Sequence, residues 1–426
     1  MSARTPDDGR GGAPAPGESR GEPCAPRWAR ARDALLARLP SWWWPVTDPH
    51  VRLAAGTECV GALAVVGDRL AVLDVEGAVG LRSLLDDAPG IVLDCPPMTA
   101  VTGLRRRTAE RPDRLVTAGA DGAVRIWDER GGRVGGFRVA PGPIAALAAV
   151  PAPGGGQWLA AAGDDGAVRV HDPEDGRRTC AFRAGCAAND LVGYLTRSGR
   201  LRIAVSGSVS SGPAVSSSAG SDLVVSGPVS PDPTDPLREA AGGVRVWDPV
   251  TGEPIGPELT DAVDECTVLA VWEDVDAGPR LVTGEGYAGF IHSMSDEVVR
   301  MWDPATGRRV GEPLVADAGY SGYAPALGTW RAPDGTPRLA AVLAEGGPRN
   351  LVVWDPATGR RLPRRFRDPN RLQPQAEALA VWHRDDGAVR LVTAVGDSIL
   401  VWDPELSGPF PPDPPSPVTA AAYTAA

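Results

Sequence analysis

Lysine is missing from this chain: all 43 basic side chains are arginine. A phosphate-binding loop lysine, a kinase-type catalytic lysine and a Schiff-base lysine are thereby excluded, since each mechanism needs that amine. Cysteine is sparse, with six in 426 residues and no Cys-x-x-Cys pair, so neither a disulfide framework nor a zinc motif is indicated. No run of 18 apolar residues occurs, which excludes a membrane-spanning helix. Residues 1–26 are Gly, Pro, Arg and acids, without the apolar stretch of a signal peptide. Together these absences predict a soluble cytoplasmic protein with reduced thiols. Aromatic residues are scarce at 5%, yet 13 are Trp against five Phe and five Tyr. The formal charge is −11, and residues 1–40 contribute +2, which leaves −13 on the remainder. Such a body repels nucleic acid and anionic lipid unless its arginines are strongly segregated.

What the chain does have is a repeat, and repeats decide the domain count. Leu115–Asp128 reads LVTAGADGAVRIWD, Leu159–Asp172 reads LAAAGDDGAVRVHD, Leu391–Asp403 reads LVTAVGDSILVWD and Leu70–Ser83 reads LAVLDVEGAVGLRS. Three more copies are split by insertions and end at Asp248, Asp303 and Asp355. Aligned, they give a column of Arg82, Trp127, His171, Trp247, Trp302, Trp354 and Trp402. Seven copies of a unit near 44 residues therefore fill one domain, not the two or three that length alone suggests. Each copy holds two apolar runs, an Asp-Gly or Gly-rich turn and a β-branched run ending in Trp-Asp. Asp-Gly between alternating strands is a strong hairpin signal, because both turn positions need positive φ. DPATG at Asp303–Gly307 and Asp355–Gly359, and DPVTG at Asp248–Gly252, then turn the chain into a fourth strand. Seven four-stranded antiparallel units make a radial array of small sheets.

In these motifs the chain resembles the WD40-repeat β-propellers, in particular those of high-GC actinobacteria. The likeness covers about 355 residues, and the Asp-Gly-x-Val-Arg-x-Trp-Asp core at Asp121–Asp128 is its most specific part. It implies a seven-bladed propeller whose Trp-Asp pairs (Trp127-Asp128, Trp247-Asp248, Trp302-Asp303, Trp354-Asp355 and Trp402-Asp403) are structural. One departure stands out. The family's Gly-His pair before each innermost strand is absent, since His50, His171, His292 and His383 all lie elsewhere. Without the family's His–Asp network, Asp121, Asp165 and Asp397 are expected to act as turn formers.

The innermost strands are expected at Gly61–Val66, Thr99–Leu104, Ala145–Val150, Asn189–Tyr194, Thr267–Trp272, Pro325–Trp330 and Glu377–Trp382. Their third positions are Leu or Val and their fourth mostly small, as convergence on an axis requires. Their sixth positions become Tyr194, Trp272, Trp330 and Trp382 in the second half, a packing use for the surplus tryptophan. After Trp402-Asp403 the chain reads PELSGPFPPDPPSP, and proline cannot donate to a sheet ladder. The last blade thus lacks an outer strand of its own, and His50–Ala55 is expected to supply it and close the ring.

The expected domain layout is a disordered tail (1–26), an amphipathic helix with a Trp-rich linker (27–45), the propeller (50–408) and a Pro-rich tail (409–426). Arg27–Leu39 reads as a helix capping the propeller, with a membrane-surface or partner helix as the alternative. Two insertions, 207–242 and 285–297, fall in turns between second and third strands, which in this family lie on one face. The first is Ser/Gly/Pro-rich and expected to be a flexible loop. The second holds Tyr287, Phe290 and His292, and the next connection on that face holds Tyr320 and Tyr323. Exposed aromatics in loops on a rigid scaffold have the composition of a binding hot spot; the competing expectation is that they pack the loops onto the ring.

Chemistry is weakly indicated. Only Asp190 and Glu377 are acidic among the aligned inner-strand positions, and two carboxylates on separate blades complete no metal shell. Cys59, Cys95, Cys186 and Cys266, each just before an inner strand, are expected to be small buried residues rather than zinc ligands, which must converge on one ion. Arg105–Arg107 with Arg111 and Arg114, and Arg360, Arg361, Arg364, Arg365 and Arg367, are expected to protect sheet edges. The sequence therefore predicts a monomeric, non-catalytic scaffold for a protein or peptide partner, without cofactor or metal. A channel-mouth hydrolase or lyase and a nucleic-acid-binding propeller are the alternatives.

Overall fold

The computed structural model describes residues 46–47, 49, 51–57, 59–86, 88–105, 112–208, 243–259, 266–285, 299–314, 323–344, 351–363, 365–366 and 376–405. Seven four-stranded antiparallel sheets are arranged as a propeller, and no helix occurs among the described residues. The inner strands of blades 1 to 7 are Val60–Val66, Met98–Leu104, Ile144–Pro151, Ala187–Leu195, Cys266–Asp274, Tyr323–Arg331 and Ala376–His383. In blades 1 to 6 the strands follow in chain order from the axis outward. Blade 7 has Ala376–His383, Val389–Val395 and Ser398–Trp402, and its outer strand is Val51–Ala54. Val51 pairs with Val401 and Leu53 with Ile399, and the Ala55 N–H donates to the Asp397 carbonyl at 2.6 Å. The ring is therefore closed by the segment ahead of the first blade, as the prolines after Asp403 require. A second clasp was not anticipated: Val46–Thr47 runs parallel to Arg365–Phe366 in the connection from blade 6 to blade 7. The Arg27–Leu39 segment, the Trp42–Trp44 run and both tails lie outside the described residues.

Strand side chains alternate between faces, and in each blade both faces are apolar. The core is accordingly divided among seven seams. Third-position residues such as Leu191 and Leu269 face the preceding blade, while fourth and sixth positions face the following one. Tyr194 packs with Leu281 and Trp302, Trp272 with Leu339 and Trp354, and Trp330 with Leu391 and Trp402. In the 1–2 seam, Val66 meets Leu115 and Trp127. Burying one such large apolar side chain contributes roughly 1.5–3 kcal/mol. Near the axis the blades come close: a Cβ on Gly328 would lie 2.7 Å from Val381 Cγ2 of the next blade. Small residues at these positions follow from geometry rather than from propensity.

Where a Trp-Asp pair is present, its aspartate organises the turn that follows. In Asp248, Asp303 and Asp403, one carboxylate oxygen caps the turn by accepting the N–H two residues on, at 3.0 Å in each case. The other oxygen takes an arginine of the second strand: Arg202 to Asp248 at 2.9 Å, Arg280 to Asp303 at 3.3 Å and Arg390 to Asp403 at 3.0 Å. Asp128 caps its turn through Arg130 and Gly132, and Asp355 through Ala357. The turns end on glycine with positive φ, as at Gly307 (70°), and a Cβ there would also strike Pro257 of the preceding blade. Asp121 and Asp165 are turn formers as expected, accepting from Ala123 and Ala167, but they do more. Each also holds an arginine four residues on, Arg125 at 2.7 Å and Arg169 at 2.6 Å. These guanidinium hydrogen bonds hold both carboxyls below the usual carboxylate range.

Three tryptophans of the column donate their N–H to the threonine of a Leu-Val-Thr second strand. Trp127, Trp302 and Trp402 donate to Thr117, Thr283 and Thr393 at 3.0, 3.0 and 2.9 Å. In blade 4 that position is Val205, and the buried Trp247 Nε1 has no partner. A buried orphan donor costs about 1–3 kcal/mol. Thr283→Val is therefore expected to destabilise the ring by about 1–3 kcal/mol, and Val205→Thr to stabilise it by about 1 kcal/mol. Urea unfolding at pH 7 reads both, and equal midpoints for wild type and the two variants would refute the account of these pairs.

Candidate functional site

The loop-bearing face is built on blades 4, 5 and 6. In blade 4 the second strand Leu201–Ser208 and third strand Gly243–Asp248 run in register from Ile203–Trp247 to Gly207–Gly243. In blade 5 the corresponding strands Gly278–Glu285 and Val299–Asp303 end on the Gly284–Val299 pair. Both insertions therefore rise from the ends remote from the Trp-Asp turns, on neighbouring blades. Their bounds shift slightly, since Gly207, Ser208 and Glu285 still belong to strands. Tyr323 begins the inner strand of blade 6 and pairs with Ala344 at the same end. Tyr287, Phe290, His292 and Tyr320 lie outside the described residues.

Beneath this face, Asp190 joins two blades. Its Oδ1 accepts the Leu191 N–H and its Oδ2 the Leu269 N–H of blade 5, both at 2.8 Å. Its own N–H donates to Ser206 Oγ at 3.1 Å. Desolvation pushes the carboxyl up to about 6, against the pull of the two N–H groups. Glu377 lies in the inner strand of blade 7. Among the described residues no three His, Cys, Asp or Glu side chains come together as metal ligands would.

The cysteines differ from expectation in one respect. Cys59 is exposed rather than buried, because it precedes its strand in an open loop, while Cys95 and Cys186 are half-buried. Burial raises the thiols of Cys95, Cys180 and Cys186, which favours the protonated, less nucleophilic form. His171 replaces tryptophan in blade 3. It stacks on Phe137 of blade 2 at 5.1 Å, and its Nδ1 lies 2.9 Å from the Gly176 carbonyl. Desolvation lowers its pKa, which favours the neutral ring.

On the opposite face, Arg105 and Arg114 line a groove of 460 Å³ between blades 2 and 3, above Phe137 and facing Glu174 and Asp175. Arg106, Arg107, Arg111, Arg364 and Arg367 lie outside the described residues. Arg360 and Arg361 form the outer strand of blade 6, as expected. Over the seven outer strands there are nine Arg, shared among five blades, and two Glu, both in blade 4, so basic charge is spread around the circumference instead of forming one patch.

The ring, its four-stranded blades and its borrowed closing strand define a seven-bladed β-propeller. A solved structure with this fold, the crystal structure of BBS1N in complex with ARL6DN soaked with lead, superposes with a TM-score of 0.59 at 12% identity. The match covers 86% of this chain and 99% of that chain. No family model matches the sequence, and no curated relative matches it.

Sequence reading missed Asp190 as a joint between blades and the arginine partners of Asp121 and Asp165. The second had a signal, the identical DGAVR of blades 2 and 3. The thiol environments give a direct test. With a thiol alkylating agent at pH 7.5, peptide mapping is expected to show Cys59 modified well before Cys95, Cys180 and Cys186. Equal rates for all four would contradict the burial described.

Proposed function

We propose that this chain is a WD40-type propeller that binds a protein or peptide partner, without catalysis, through the loops over blades 4–6. The WD40 assignment rests on the Trp-Asp turns and the Asp-Gly-x-Val-Arg strands, although the family's Gly-His element is absent. The observation that carries the reading is the placement of the two insertion feet, side by side on one end of adjacent blades of a closed ring. Recognition would use apolar and aromatic contacts from Tyr287, Phe290, His292, Tyr320 and Tyr323, held on a scaffold that needs no reordering. The solved structure of like fold is itself of a protein–protein complex, which supports the analogy, although fold does not fix function. The proposal includes a cytoplasmic monomer without cofactor, in keeping with the free Cys59, Cys95, Cys180 and Cys186. Nucleic-acid binding is disfavoured by the net charge of −11 and the dispersed outer-strand arginines.

The test is an affinity pull-down with wild type and a Tyr287/Tyr320/Tyr323→Ala triple variant. The variant is expected to keep its circular dichroism spectrum and to lose the partner. A folded variant that retains every partner would reject the loop face as the binding surface.

A further inference from the structure

In blades 4 to 7 an aromatic residue of the inner strand stands opposite an arginine near the start of the second strand. The pairs are Tyr194 with Arg202, Trp272 with Arg280, Trp330 with Arg338 and Trp382 with Arg390. Each of these arginines also reaches a carboxylate: Asp248 at 2.9 Å, Asp303 at 3.3 Å, Glu405 at 3.5 Å and Asp403 at 3.0 Å. An aromatic ring, a guanidinium and a carboxylate therefore recur together at the Trp-Asp end of four blades.

Blade 2 keeps the arginine and lacks the other two. Leu104 stands opposite Arg114, where blades 4 to 7 have an aromatic side chain. Asp128, which follows Trp127, accepts the Arg130 and Gly132 N–H groups through Oδ1. Arg114 forms no ion pair or side-chain hydrogen bond among the described residues. The facing blade removes a ring as well, since its column residue is His171 rather than tryptophan. The 1–2 and 3–4 seams keep a column tryptophan, Trp127 and Trp247, beside Val66 and Val150. Among the described residues, the 2–3 seam alone has neither an aromatic from the inner strand nor a tryptophan from the facing column.

The room left is the groove of 460 Å³ noted above, within the range of roughly 300–1,000 Å³ of small-ligand sites. The buried Leu104 and Ile126 line it together with the half-buried Phe137 and Arg114. Arg105 brings a second guanidinium to its lining, and the Arg105 backbone N–H donates to Gln157 Oε1 of blade 3 at 2.7 Å. On the opposite wall, Asp175 is held by Arg177, whose N–H it accepts at 2.8 Å.

We propose that this groove binds a small aromatic carboxylate. The ring takes the place that Trp272, Trp330 and Trp382 fill in their own blades, against Leu104, Ile126 and Phe137. The carboxylate takes the place of the aspartate on Arg114, through charge-assisted hydrogen bonds that the guanidinium fork suits. The site lies on the face remote from the two insertions, so it stands or falls separately from the loop-binding reading.

Isothermal titration calorimetry of the full chain with indole-3-acetate is the test, because this probe joins the ring of the other blades to a carboxylate. Saturable one-to-one binding is expected for wild type. Indole without the carboxylate, and indole-3-acetate with Arg114→Gln, are each expected to bind about tenfold more weakly or worse, the loss of one charge-assisted contact. Leu104→Trp installs the ring of blades 5 to 7 and is expected to abolish binding without lowering the urea midpoint. Absence of saturable binding by wild type, or unchanged affinity in both variants, would overturn the site. Glycyl-glycyl-tryptophan carries the same ring and carboxylate at a chain end; tighter binding of this tripeptide than of the free acid would overturn the assignment to a small molecule.

Discussion

A small sheet that is apolar on both faces is stable only between two others, and the rest of this structure follows from that constraint. Seven such sheets satisfy it if the row of blades is bent into a ring, so that blade 1 becomes the neighbour of blade 7. Trp382 of blade 7 packs with Leu70 of blade 1 in the same manner as Trp330 with Leu391 one seam earlier. What fixes the ring is the strand Val51–Ala54, which precedes blade 1 in the chain yet completes blade 7. The parallel pair of Val46–Thr47 with Arg365–Phe366 holds the same segment a second time. First and last blades are thereby covalently continuous through one sheet, and opening the ring requires that sheet to come apart.

The polar devices serve this packing. Each Trp-Asp carboxylate that also holds a second-strand arginine, as Asp248 holds Arg202, ties the end of the third strand to the second while capping the turn beyond. Such half-buried charge pairs are not strong sources of net stability, but they fix one turn geometry, and removing one partner strands the other. Aromatic residues extend the order from blade to blade: Phe137 stacks on His171 and Phe182 on Trp247, each from one blade's outer strand to the next blade's column residue. With the frame held in this way, insertions can be carried at strand ends without disturbing the core. A binding surface made of such loops meets its partner with the scaffold already ordered.

The architecture was legible because repetition averages out local ambiguity. Leu-Val-Thr, Asp-Gly, Val-Arg-x-Trp-Asp and Pro-Ala-Thr-Gly each carry a turn or packing requirement, and their recurrence fixed the blade count, the inner strands and the closing segment. The sixth-position aromatics Tyr194, Trp272, Trp330 and Trp382 were correctly read as packing for the same reason. Features belonging to a single blade were not legible. Asp190 looks in sequence like an acidic residue at the channel mouth, and only the seam geometry shows its bond to Leu269. The exposure of Cys59 depends on loop path, which residue type does not encode. The pairing of Arg365–Phe366 with Val46–Thr47 joins segments some 320 residues apart by two residues each, too short for any pattern.

The closing strand is the point on which the account depends most. Leu53 is 4% exposed, in the 7–1 seam. Urea unfolding of the full chain carrying Leu53→Asp tests it most directly. The account predicts that the midpoint of the whole ring falls in one cooperative transition, because a charge placed in that seam detaches the strand that joins the two ends. An unchanged midpoint, or a loss confined to blade 7 while the other six unfold as in wild type, would contradict it.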